Sequence, residues 1–186
     1  MKKKLWIPAA AVVTALVLTA CFKNDDDVAQ CTPNTLAQDQ HVIDSFINEN
    51  GYDYLTYNST YYVYTGVTGA GTGSTPKADS LIAFKYSIRL MNGTTLGTSD
   101  TISTYGSQPL RLSDLQSTEP ILYNAFQGIG ESGSIRVIAP SSLYSYTSLI
   151  YGGGCKQQTS ADGTIVIPAY SQLIYDFTLT KVEENN

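Results

Sequence analysis

The chain has 186 residues, 42% of them hydrophobic and 15% charged, with 11 Lys and Arg against 16 Asp and Glu and a formal charge of -5. That is enough apolar material for one ordinary domain with a core, which argues against a disordered polymer, and the acidic balance lacks the positive surface that phosphate backbones require, which argues against nucleic acid as a partner. One histidine, His41, and three cysteines remove most zinc sites and most Ser-His-Asp schemes, so the chemistry is expected to run without a histidine base.

Residues 1–4 form a short basic head and residues 5–20 an almost unbroken apolar run ending in small residues, the layout of a secretory signal. The run is shorter than the roughly 20 residues a bilayer span needs. Its end, Leu18-Thr19-Ala20-Cys21, resembles the bacterial lipobox. That resemblance implies cleavage before Cys21, a diacylglycerol on its thiol, and lasting attachment to a membrane at about 0.8 kcal/mol per buried methylene. Residues 21–31 read as a polar, acidic, lipidated tether. Its Phe22-Lys23-Asn24-Asp25-Asp26-Asp27 stretch also resembles the surface-export signal of Bacteroidota lipoproteins, and both the periplasmic and the surface side of the outer membrane stay open. Asp25, Asp26 and Asp27 lack the alternating ligands and closing glutamate of a calcium loop. Cys31 and Cys155 remain in a compartment where disulfides persist, free to pair or to stay as thiols, and closing a loop of that length is worth about 4 to 5 kcal/mol.

Residues 32–76 read as an N-terminal extension of one helix and two strands. Leu36, Val42, Ile43, Phe46 and Ile47 recur at helical spacing, with Asn34 as the expected cap and Gly51 as the stop. His41 lies in this helix with no second ligand nearby and is read as a half-exposed helix residue. The Tyr-, Thr- and Val-rich run that follows breaks at Asn58-Ser59, which predicts two strands and a turn. Residues 66–79, rich in Gly, Ser and Thr, form a joint inside a compact unit.

Beyond the joint, LIAFKYSIRL, SIRVIAP and QLIYDFTLTKV are strands by their β-branched and aromatic content, Asn92-Gly93 is a tight-turn signal, and ILYNAF is the one good internal helix candidate. Gly128, Gly130 and Gly133 spell GxGxxG, but they follow a helical segment and precede a strand, the reverse of a phosphate-cradling unit, so dinucleotide binding is discarded. The expected fold is α+β, an antiparallel sheet with one short helix.

Three ordered segments then resemble the FKBP-type peptidyl-prolyl isomerases. The first runs FKYSIRLMNGTTL from Phe84 to Leu96. The second is Pro109-Leu110-Arg111-Leu112 followed, after ILYNAF, by GSIRVIAPSSL from Gly133 to Leu143. The third, IPAYSQLIYDFTL from Ile167 to Leu179, is similar to the family's I-P-P-x-x-x-L-x-F-D-V-E-L. The likeness spans residues 77–183 and implies an FKBP-like twisted sheet wrapped on one short helix, with an N-terminal extension of the kind found in lipid-anchored bacterial members.

By that resemblance, Tyr86, Leu96, Leu110, Ile167 and Tyr175 stand on the wall of an apolar pocket. Its floor comes from Phe126 if the following turn is shortened, or from Tyr123 if no gap is allowed; Phe126 is preferred. A tyrosine hydroxyl donor to the substrate carbonyl comes from Tyr146 or Tyr144. The loop of residues 146–165 overhangs the pocket in relatives, and a Cys31–Cys155 bond would tie the extension to it. Leu96 and Leu110 replace the family's phenylalanines, and Gly97 stands where the family has a pocket-facing aspartate. The resemblance implies isomerisation of X-Pro bonds in exported chains with no metal and no cofactor, by a protein that the lipobox reading attaches to the outer membrane through Cys21; the oligomeric state stays open, a monomer being favoured. The alternative is a fold retained for peptide or protein binding after turnover was lost.

Overall fold

A computed structural model describes residues 31–143 and 148–184. The expected signal, the expected lipidation site Cys21, most of the expected tether, and both Tyr144 and Tyr146 lie outside the described residues.

The first element, α1 (Leu36–Asn50), begins one residue later than the sequence predicts. Thr35 is the cap, its hydroxyl taking the Gln38 N–H while the Gln38 side chain takes the Thr35 N–H, a reciprocal capping box. Asn34 is instead a donor, giving its amide to Asp39 at 2.9 Å. Gly51 ends the helix at φ 65°, a left-handed position that glycine occupies without strain. Strands β1 (Thr56–Asn58) and β2 (Val63–Gly69) follow, then β3 (Leu81–Leu90) and β4 (Thr95–Ile102) joined at Asn92-Gly93. A small ladder, β5 (Thr104–Tyr105) with β6 (Gln108–Pro109), leads into a 3-10 turn at Leu112–Asp114, α2 (Leu115–Thr118) and α3 (Pro120–Phe126). The sequence showed only α3, because the two turns before it are too short to establish a helical period. The chain closes with β7 (Ser134–Ala139), a second small ladder of β8 (Gln158–Thr159) and β9 (Ile165–Ile167), and the long β10 (Leu173–Glu183).

Six strands form one sheet in the order β1-β2-β7-β10-β3-β4, every neighbouring pair antiparallel. The fold is therefore α+β. Alternation along the central strands divides the core between the two faces. On β10, Leu173, Tyr175, Phe177 and Leu179 join Ile135, Val137 and Ala139 of β7 and Phe84 of β3 on the face covered by Leu122 and Phe126 of α3. The intervening Ile174 and Ile138 point the other way and meet Ile43 and Ile47 of α1, with Leu55 and Tyr64.

Polar contacts pin α1 and the segment after it to that second face. Asp39 is wholly buried and accepts the Ser141 hydroxyl at 2.8 Å, the Ser142 N–H at 2.7 Å and the Gln172 amide at 2.9 Å, besides Asn34. Burial alone would push this carboxyl up; the donors from Asn34, Ser142 and Ser141 outweigh it and hold it below the usual carboxylate range. Asp176 joins Arg89 at 2.7 Å to Arg136 at 2.6 Å, and Arg136 also lies over the Tyr52 ring and donates to the Tyr54 hydroxyl.

The glycine-rich joint is not a free loop. Strand β2 runs into it as far as Gly69, and its next turn locks into the GxGxxG segment. A Cβ on Gly71 would stand 2.5 Å from the Gly130 carbonyl oxygen, and one on Gly130 would stand 2.5 Å from that of Gly73. These glycines permit two backbones to touch, which is the structural account of a motif that elsewhere cradles phosphate.

Candidate functional site

On the α3 face the aromatic side chains form a connected cluster. The β10 alternation that sends Tyr175 and Phe177 to one side stacks their rings 6.0 Å apart and nearly parallel. Phe177 then meets Tyr86 at 5.9 Å, Phe84 at 6.0 Å and Phe126 at 6.4 Å, and Phe84 meets Phe126 at 5.2 Å. Register explains the neighbours: Tyr86 pairs with Phe177 across β3 and β10, and Tyr175 pairs with Ile88 on one side and Val137 on the other.

The structure brings seven of the sequence-predicted residues into this one cluster: Leu110, Phe126, Ile167 and Tyr175 as buried members, Tyr86, Leu96 and Tyr123 as half-buried ones packed against them. They differ in reach. Tyr175 and Phe126 are 0% exposed, Leu110 1% and Ile167 5%, so they form the body of the site. Tyr86, Leu96 and Tyr123 retain solvent-facing surface at the edge of the cluster. Phe126, preferred from sequence as the floor, is wedged among Phe84 and Phe177, whereas Tyr123, one turn earlier, sits nearer the surface.

The segment that follows β7 supplies the second side. Gly152 lies so close to Pro140 that a Cβ there would overlap the Pro140 carbonyl oxygen at 1.8 Å, and its N–H donates to the Leu143 carbonyl. Gly153 N–H donates to Ser171 O at 2.8 Å and Tyr170 N–H to Gly154 O at 2.7 Å, which stitches this flap to the entry of β10. Tyr151 then closes over Tyr175: the Tyr175 hydroxyl donates to the Tyr151 carbonyl at 2.8 Å and accepts the Tyr151 N–H at 3.1 Å. Burial holds the Tyr175 phenol well above the ordinary tyrosine range, so it stays a neutral donor. Cys31 and Cys155 are joined as a disulfide, which fastens the start of the extension to the flap.

Sequence reasoning missed Tyr151 and Glu119. Glu119, between α2 and α3, is buried and accepts the Ser148 hydroxyl at 3.0 Å and the Leu149 N–H. Burial pushes its carboxyl up against the lowering effect of those donors. Nothing in a single sequence distinguishes this acid from one facing solvent at a helix start, where acids are common. Gly97 pairs with Ile88 and has open space about it, so the strand offers room for the side chain it lacks.

The class these observations define is an α+β protein whose antiparallel sheet carries an aromatic cluster beneath a stitched flap. No protein-family model and no curated protein sequence matches the chain. Among solved structures it is similar to FkpA from Escherichia coli, with 23% identity and a TM-score of 0.45 over 79% of this chain and 58% of that one. It is also similar to a peptidyl-prolyl cis-trans isomerase from Pseudomonas syringae, with 18% identity and a TM-score of 0.46 over 82% of this chain and 99% of that one. A third likeness is to the three FKBP domains of wheat FKBP73, with 16% identity and a TM-score of 0.40 over 81% of this chain and 48% of that one. The chain thus spans less than two thirds of the length of FkpA.

Proposed function

We propose that the protein is an FKBP-type peptidyl-prolyl cis-trans isomerase, a folding helper for X-Pro bonds of exported chains, attached to the outer membrane through a lipid on Cys21. One observation carries the reading. Segments far apart in the chain that resemble the family's motifs supply Tyr86, Leu96, Leu110, Ile167 and Tyr175 to a single aromatic and aliphatic cluster.

The chemistry asks for little more. A prolyl amide is held planar by resonance with a barrier of about 18–20 kcal/mol, and uncatalysed exchange takes tens to hundreds of seconds. The twisted amide has lost that resonance and is less charge-separated than the planar one. An apolar hollow that strips water from the planar form therefore favours the transition state differentially. Tyr86, Leu96 and Tyr123 receive the proline ring in this reading, the buried residues keep water out, and Tyr144 or Tyr146 supplies the hydroxyl donor.

A second reading, peptide capture without turnover, draws support from Gly97, which removes a carboxylate, and from the Tyr175 hydroxyl, already engaged by Tyr151. Exchange spectroscopy on an X-Pro peptide separates the two. Faster cis/trans exchange with the wild type, reduced at least about tenfold by Tyr86→Ala, is the expected result. Binding without acceleration favours capture, and neither binding nor acceleration overturns both.

A further inference from the structure

The aromatic cluster leaves one buried acid unexplained. Glu119 is 8% exposed, and none of the ion pairs among the described residues includes it. A carboxylate out of water is costly unless donors satisfy it, and here the donors come from one short stretch of the flap. Ser148 Oγ donates to Oε2 at 3.0 Å, Leu149 N–H donates to Oε1, and Ile150 N–H donates back to Ser148 Oγ at 3.2 Å. The next residue, Tyr151, holds the Tyr175 hydroxyl through both its N–H and its carbonyl.

The acid is itself fixed. Its backbone N–H donates to Leu115 O at 2.8 Å and its carbonyl accepts the Tyr123 N–H at 3.0 Å, so α2 and α3 carry it as a rigid unit. An uninterrupted path therefore runs from the α2–α3 junction, through residues 148–151, to the hydroxyl of a tyrosine in the body of the site. Hydrogen bonds to a charged acceptor are about twice as strong as neutral ones, which suits a grip on the loop that carries Tyr151.

We propose that Glu119 is a positioning residue of the candidate site, gripping residues 148–150 so that Tyr151 holds the Tyr175 ring in its place against Phe177. The role in catalysis rests on the isomerase reading; the grip does not. The test uses the full-length protein in detergent, with amide hydrogen exchange read beside catalysed exchange of an X-Pro peptide. In Glu119→Gln the Leu149, Ile150 and Tyr151 amides exchange at least about tenfold faster while Phe177 and Leu179 of β10 keep their protection. KM rises about fivefold or more with a smaller change in kcat, and Ser148→Ala, which removes one donor and no charge, shifts both readouts the same way by less.

Unchanged flap exchange in Glu119→Gln overturns the grip. Faster flap exchange with unchanged kinetics overturns the positioning role. A wild type that neither binds nor isomerises the peptide overturns the isomerase reading and with it the catalytic half of the proposal, while flap exchange still decides the grip. Loss of β10 protection in Glu119→Gln hands the decision to Ser148→Ala, where flap exchange no faster than wild type counts against the proposal.

Discussion

Removing the Asp39 carboxylate tests whether the extension and the sheet are one folding unit. Asp39→Ala strips the acceptor from four donor groups: the Asn34 amide, the Ser141 hydroxyl, the Ser142 N–H and the Gln172 amide. Ser141 is 1% exposed and Gln172 7%, so water does not replace the lost partner for either. Each orphaned interior donor costs about 1–3 kcal/mol, and relief of the carboxylate's own desolvation offsets part of the total. The net expectation is a loss of about 3–5 kcal/mol, a large share of a domain's stability of about 5–15 kcal/mol. Asp39→Asn keeps one acceptor oxygen but turns an NH2 toward donors, and is expected to lose about half as much. Urea melts at neutral pH measure both.

The pH dependence supplies an independent check. The folded Asp39 carboxyl lies below its ordinary value, so its contribution is complete above the unfolded pKa of about 3.9 and is lost as pH falls through the lower folded value. The gap between wild type and Asp39→Ala therefore narrows on acidification. A loss under about 1 kcal/mol at neutral pH, or a gap that stays constant between about pH 5 and about pH 2, refutes the account.

Two further outcomes follow from the packing. Phe126→Ala empties the centre of the Phe84, Phe126 and Phe177 cluster and is expected to cost about 3–5 kcal/mol, whereas Tyr123→Ala costs about 1 kcal/mol yet weakens peptide binding more than its effect on stability; denaturation and peptide titration on both variants check the division. The Cys31–Cys155 disulfide closes a loop with a sequence separation of 124, so the double Cys→Ser variant should lose about 4–5 kcal/mol, and a reductant should remove the same amount from the wild type and nothing from the variant, as read by urea melts.

The local devices of the fold were legible because their causes are local. β-Branched and aromatic content wrote β3, β7 and β10, Asn92-Gly93 wrote the hairpin, and the period of Leu36, Ile43 and Ile47 wrote α1. The helix cap was read one residue early because Asn34 and Thr35 are both good caps, and only the position of Asp39 shows that Asn34 is needed elsewhere. The motif segments also placed Tyr86 and Tyr175 on neighbouring strands, where register carries a sequence pattern directly into adjacent positions, while Leu110 and Ile167 reach the same cluster from outside the main sheet.

Tertiary structure alone decided the rest. Whether Tyr123 or Phe126 stands nearer the surface depends on where α3 ends against Phe84 and Phe177, which no spacing records. The interlocked glycines of the joint and the GxGxxG segment, the clasp of Tyr151 on Tyr175, and the burial of Asp39 and Glu119 all join residues remote in the chain. A carboxylate at a helix start looks the same in sequence whether it faces water or donors from a distant loop. What distinguishes the two is the company it keeps once the chain has closed, and that is a property of the packed molecule.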